Sequence, residues 1–255
     1  MLDRDPLRFW YIVAATICLA IVTISIRGRL GYYINPRYFA FTTIASAVGF
    51  LVLVVGAFSY KYKGKKTVVK YESLTDLIIK MAKWLTSKQI WFLLIIAGLL
   101  FWSPPRSLMS SAANRRDQRS DSVKESDRQY IIESQWFSNP KTIYQLSQVL
   151  SIEEGQKEVA GKSFKLNGFV RADQKADKDI FRLSKFMITC CAVDATPNNI
   201  DVYSPNWQSK FKIDTWVEVD GKIEVLQTNT GQRMLLKGTI KEIQQPDEPY
   251  DYLYF

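Results

Sequence analysis

Two uncharged apolar stretches near the start of the chain limit its folds more than any other feature. Phe9–Ile26 and Tyr38–Tyr60 contain no Asp, Glu, Lys or Arg. Each is about as long as a helix needs to cross a bilayer, roughly 17–25 residues. A backbone in lipid must satisfy its own hydrogen bonds, so such stretches are read as helices. Cleavage of the first as a signal peptide is the competing reading. Arg27-Gly28-Arg29 follows it, however, where a small-x-small site would be needed. Tyr38, Phe39 and Tyr60 edge the second stretch, which suits the headgroup level.

A third stretch, Ile90–Trp102, is short. Lys88 can snorkel, Trp91 and Trp102 bracket it, and Pro104-Pro105 stops it. Spanning and re-entrant readings both fit, so residues 1–105 are expected to form a membrane domain with two or three transmembrane helices.

Charge is split along the chain. Residues 1–105 hold 13 Lys/Arg and 4 Asp/Glu, whereas residues 106–255 hold 21 of each. The basic excess therefore sits beside the apolar stretches, where it decides orientation. A nucleic-acid binder would carry it on the soluble half, so no nucleic-acid partner is expected. Lys61, Lys63, Lys65, Lys66, Lys70, Lys80, Lys83 and Lys88 crowd the second connection, against Arg27, Arg29 and Arg37 in the first. The 61–88 connection is thus expected in the cytoplasm and the soluble half outside it, in a multi-pass membrane protein. Within that connection, Ser73–Leu85 reads as an amphipathic helix with Leu74, Leu77, Ile78, Met81 and Leu85 on one face. It would lie on anionic lipid, on a partner, or on the chain's own spans.

Small residues mark one face of the second apolar stretch. Ala45, Gly49 and Gly56 allow close helix approach. The approaching helix is Phe9–Ile26, a partner, or a second copy in a homo-oligomer.

Residues 106–138 read as a polar linker and 139–255 as a soluble β domain. Asn139-Pro140 is expected to start a helix whose apolar face is Ile143, Leu146, Val149 and Leu150. From Gly161 on the period is two. Strands are expected at Phe164–Val170, from Phe181 with a bulge near Ser184-Lys185, at Ile200–Tyr203, at Val217–Val225 and at Met234–Ile243. Gly221 marks a bulge or a sharp coil. Five such strands fit an OB-like five-stranded barrel, or a small sandwich. The fold class is thus an α-helical transmembrane half plus a small all-β domain.

The chain has no histidine, which removes every His-dependent mechanism and ligand set. P-loops, nucleophile elbows and glycine-rich dinucleotide turns are missing too, so no enzymatic activity is expected. One cluster could carry chemistry: Cys190, Cys191 and Asp194. Cysteine and carboxylate together suit zinc or another thiophilic metal. Strand alternation would send the two thiols to opposite faces unless the strand ends there. Cys190 shares a phase with Phe186 and Ile188, which predicts an inward side chain. Structural, metal or metalloid, and redox roles all remain open.

Several segments carry a resemblance. They are Gly31-Tyr32-Tyr33-Ile34-Asn35-Pro36-Arg37, Pro104–Leu108, Gly168-Phe169-Val170, Ile188–Ala195, Thr215–Gly221, Pro249-Tyr250 and Leu253-Tyr254. In these the chain resembles the bacterial YcgQ-like permease-subunit family over nearly its whole length. Lys185 departs from the family's pattern, where Arg stands. The resemblance implies a non-enzymatic accessory subunit beside a multi-spanning permease, within the lipid bilayer of a bacterial inner membrane. The rival is a stand-alone membrane-anchored ligand- or metal-binding module.

Overall fold

The computed structural model describes residues 6–60, 98, 106–116, 125–172, 177–228 and 231–252. The expected helix at Ser73–Leu85 lies outside the described residues, as does Ile90–Trp102 apart from Gly98. The chain divides into two units. One comprises Met1–Leu30 with Pro36–Pro105, and the other Gly31–Asn35 with Arg106–Phe255.

The first unit contains helices α1 (Pro6–Ile26) and α2 (Phe39–Tyr60). Proline opens α1, where its missing N–H costs nothing. Gly28 closes it with φ +67°, donating to Ser25 O at 2.9 Å, while Arg29 N donates to Ile24 O at 3.1 Å. This is a Schellman stop, and it requires the left-handed conformation that glycine adopts freely. The two helices pack on each other through small groups. Ser25 Oγ and Thr43 Oγ1 lie 2.6 Å apart, Ser46 is buried, and a Cβ on Gly49 would meet Cys18 Sγ at 3.4 Å. Phe41, Ile44, Val48, Leu51, Val52 and Val55 are exposed on α2. Pro36–Val55 is long and apolar enough to cross a membrane, and Val13–Ile26 is a shorter apolar helix.

The second unit is built on six strands: β1 (Ser163–Arg171), β2 (Ile180–Ile188), β3 (Thr196–Tyr203), β4 (Trp216–Thr228), β5 (Gly231–Glu242) and β6 (Tyr250–Tyr252). The first five close on themselves, β1 pairing with both β4 and β2. All pairings around this barrel are antiparallel except β3–β5. β6 adds a parallel edge to β2 and is a strand that the alternation pattern did not disclose. Three residues are too few for a period to register.

Closure forces backbones together where strands coil. Gly221 faces Gly238 across β4–β5 in an unbroken register. A Cβ on Gly221 would lie 2.4 Å from Lys237 O, and one on Gly238 2.1 Å from Asp220 O. Gly221 therefore marks a sharp coil and not a bulge.

The bulge expected at Ser184-Lys185 is absent too, since β2 pairs with β3 without interruption from Ile180 to Met187. The change of phase has another cause: the strand buries both faces. Phe181 and Leu183 join an inner cluster with Phe164, Leu166, Ile200, Val219 and Leu236. Phe186 and Ile188 join a second cluster with Phe169, Trp216, Tyr250 and Ala113. Alternation shows in sequence only where one face meets water.

Two consecutive helices add to the inner cluster. In α5 (Ile143–Leu150) the buried residues are Ile143, Leu146 and Val149. Its N-cap is Thr142, whose Oγ1 accepts from Gln145 N at 3.1 Å, rather than the expected Asn139. Gln145 Oε1 answers by accepting from Lys141 N at 2.8 Å, a reciprocal arrangement related to the capping box. Helix α6 (Glu153–Val159) adds Val159.

Over its described residues the expected linker is not a spacer. Helix α3 (Ser110–Arg116) buries Ala113 in the second cluster. Ser110 N donates to Asp214 Oδ1 at 2.8 Å, and Leu108 N to Tyr250 Oη at 2.9 Å. Helix α4 (Glu125–Glu133) contributes Ile131 to the inner cluster. A polar composition hid these contacts because one or two small apolar residues suffice to dock a short helix. A last short helix, α7 (Trp207–Lys210), follows β3 and buries Trp207.

Candidate functional site at the β2–β3 turn

β2 ends at Ile188 and β3 begins at Thr196, so Thr189–Ala195 must reverse the chain. Asp194 organises the reversal. Its Oδ1 accepts from Thr189 N at 3.1 Å, and its Oδ2 accepts from Cys190 N at 2.7 Å and Cys191 N at 3.1 Å. Asp194 N donates back to Cys191 O at 3.0 Å. A single carboxylate thus satisfies three backbone donors that the strand ladder has released.

The same fold brings the two thiols together. Because the strand has ended, alternation no longer separates them, and Cys190 Sγ lies 3.6 Å from Cys191 Sγ. Both sulfurs and an Asp194 oxygen fall within 4.8 Å of one another. Cys190 is exposed and so does not point inward as its phase with Phe186 and Ile188 suggested. The phase stops counting where the strand stops.

Electrostatics keep this turn in a defined protonation state. The Cys190 thiol is pushed up to about 12, first by its hydrogen bond to Asp194, then by Cys191 and by desolvation. At neutral pH it is a thiol, and it lacks the thiolate character of a nucleophilic cysteine. For Asp194, burial works against ionisation. Hydrogen bonds from Cys190 and from the backbone of Cys190, Cys191 and Thr189 outweigh it and lower its pKa.

A second segment completes the turn. Gly31–Asn35, between α1 and α2 in the sequence, belongs to the barrel unit. Ile34 pairs with Cys191 in an isolated antiparallel bridge. Asn35 N donates to Cys190 O at 3.0 Å, and Ala192 N donates to Tyr33 O at 2.7 Å. The buried Asn35 side chain donates to Thr189 O at 3.2 Å and Ile188 O at 3.4 Å. Tyr252 Oη donates to Gly31 O at 3.1 Å, and Gln245 Nε2 to Tyr32 Oη at 3.1 Å. From the other side Arg116 donates to Ala195 O at 2.7 Å and Ala192 O at 3.2 Å.

The DUF1980 N-terminal domain matches residues 8–118, and the DUF1980 C-terminal domain matches residues 115–253. The chain belongs to the DUF1980 family. No curated protein and no solved structure matches it.

Of the site residues read from the DUF1980 sequence, Cys190, Cys191 and Asp194 are brought together. Of the three small residues on α2, Gly49 faces Cys18 of α1 and Ala45 is exposed. The surroundings of Gly56 lie outside the described residues. Lys185 sits in a largely buried ion pair, its Nζ 3.1 Å from Asp251 Oδ1 and also donating to Asn167 Oδ1. It joins β2 to β6 and β1, a structural position in this DUF1980 barrel.

Residue-by-residue reading missed Asn35 and Arg116. Asn35 precedes Pro36, which biases it to an extended backbone fit for bridging. Nothing in its spacing names a strand end 153 residues away as its partner.

Proposed function

We propose that this DUF1980 chain is a non-catalytic accessory subunit of a multi-spanning permease in a bacterial inner membrane, with its barrel on the extracytoplasmic side. The observation that carries this reading is the pairing of Tyr33–Asn35 with Cys190–Ala192. Those main-chain bonds need the α1–α2 connection and the barrel on one face of the bilayer. The lysines of the 61–88 connection favour the cytoplasm for that segment. The chain must then recross between Tyr60 and Arg106, a role that suits Ile90–Trp102. α1 and α2 would act as spans, and three spans are too few to enclose a polar path. Phe9–Ile26 and Tyr38–Tyr60 carry no Asp, Glu, Lys or Arg, residues that usually mark such a path. The YcgQ-like resemblance points the same way. The closed five-stranded barrel also suits an OB-like module, a fold that binds ligands on a strand face and its adjoining loops.

Affinity purification of the tagged full-length chain in mild detergent tests the proposal. A multi-spanning membrane protein should accompany it, and Ala45→Leu, on the exposed side of α2, should reduce recovery of that partner. Purification as a lone chain or homo-oligomer would overturn it. That outcome would favour the stand-alone binding module, the reading supported by the convergence of Cys190, Cys191 and Asp194.

A further inference from the structure

We infer that Cys190, Cys191 and Asp194 form an open, exchangeable site for a thiophilic divalent cation, with Zn2+ as its representative. Loading of this site adjusts the grip of the turn on Tyr33–Asn35. The inference goes beyond the permease reading and does not require it.

Geometry is the first argument. In a zinc tetrahedron with Zn–S bonds near 2.3 Å, two sulfurs lie about 3.8 Å apart. Cys190 Sγ and Cys191 Sγ are 3.6 Å apart. The carboxylate falls within 4.8 Å of both. Little motion would bring three donors onto one cation, and Asp194 is already held by three N–H groups. Orientation of a ligand by outer hydrogen bonds is how protein metal sites are commonly prepared.

Ligand number sets the kind of site. Structural zinc is closed by four protein ligands, whereas three leave a position for water or an incoming group. Cys190 is exposed, the chain has no histidine, and among the described residues the cluster comprises Cys190, Cys191 and Asp194 alone. The arrangement therefore suits capture and release more than support of the fold. The chemistry balances without electron transfer. Two S–H bonds are exchanged for two metal–sulfur bonds, and two protons leave to water.

The coupling follows from shared peptide groups. Cys190 O accepts from Asn35 N, and Ala192 N donates to Tyr33 O. Turning two adjacent side chains onto one ion constrains the peptide between them, and that peptide's neighbours hold the α1–α2 connection.

The test uses the full-length protein in detergent with a non-thiol reductant, Zn2+ as the probe, and a chromophoric chelator in competition. Wild type should bind one Zn2+ per chain. Cys190→Ser and Cys191→Ser should each weaken binding by at least about tenfold. Cys18→Ser should leave it unchanged. Unaltered thermal transitions of the serine variants would separate lost ligation from lost folding. Hydrogen exchange of residues 31–36 should change with Zn2+ in wild type and not in the double serine variant. Less than about a tenth of an ion per chain, or equal uptake by the double variant, would overturn the site. Full uptake with unchanged exchange at residues 31–36 would overturn the coupling.

Discussion

At the residue scale, Asn35 and Asp194 carry more of the β2–β3 turn than the cysteines do. Asn35 is fully buried and gives its side-chain amide to the carbonyls of Ile188 and Thr189. Truncating one partner of a buried hydrogen bond typically costs about 1–3 kcal/mol, since the group left behind stays desolvated. Asn35→Ala should therefore lower the thermal midpoint of the barrel unit and speed alkylation of Cys191. Differential scanning fluorimetry and timed labelling by mass spectrometry would measure both. Asp194 sets a pH limit on the same turn. Its folded pKa lies below its unfolded value, so its stabilisation is complete above the unfolded value, about 3.9. It is lost as pH falls through the lower folded value. Backbone amides of Cys190 and Cys191 should thus stay protected from pH 7 to about pH 4 and lose protection only in stronger acid. Hydrogen exchange corrected for the intrinsic rate checks this. Protection already lost at pH 6 would contradict the assignment of the carboxylate as the organiser.

At the element scale, the closely coiled β4–β5 hairpin has little room for change. Gly238 lies so near Asp220 O that any side chain there must push the strands apart. Gly238→Ala should destabilise the barrel by roughly 2 kcal/mol or more, as backbone strain and overpacking commonly do. Circular dichroism melting of the barrel unit would register it. Gly161 serves as the control. Its φ of +74° favours glycine, but a Cβ there meets nothing within 4 Å, so Gly161→Asn should cost less. An equal loss from both would show that turn conformation, and not the close β4–β5 contact, dominates. The two-faced burial of β2 belongs to this scale as well. Arg182, Lys185 and Met187 are half-buried between fully covered neighbours, a pattern without a clean period.

At the scale of the whole molecule, the barrel unit starts earlier than its strands do. Leu108, Met109, Ala112 and Ala113 cover the second cluster, and Ile131 enters the inner one. A fragment of residues 106–255 should therefore unfold cooperatively at a higher temperature than residues 139–255. The shorter piece should expose Phe169, Phe186 and Trp216 and bind a hydrophobic dye. Equal midpoints for the two fragments would mean that 106–138 is a spacer after all.

Much of this was legible in the chain itself. Apolar stretches without charge defined two helices at nearly the right bounds, because lipid-compatible length is a local property. Period-two alternation located the five barrel strands, since each strand's inner face must be apolar wherever its partner comes from. The Cys-Cys-x-x-Asp spacing marked the turn as chemically unusual. Tertiary structure alone decided the rest. Whether β2 bulges or buries both faces depends on α3 and β6 arriving to cover Phe186 and Ile188. Whether Cys190 points inward depends on where the β2–β3 ladder stops. That Asn35 grips the cysteine turn depends on a contact spanning 153 residues. Local pattern cannot encode such pairings, because hydrogen-bonding groups in a polar segment look alike until the fold chooses their partners.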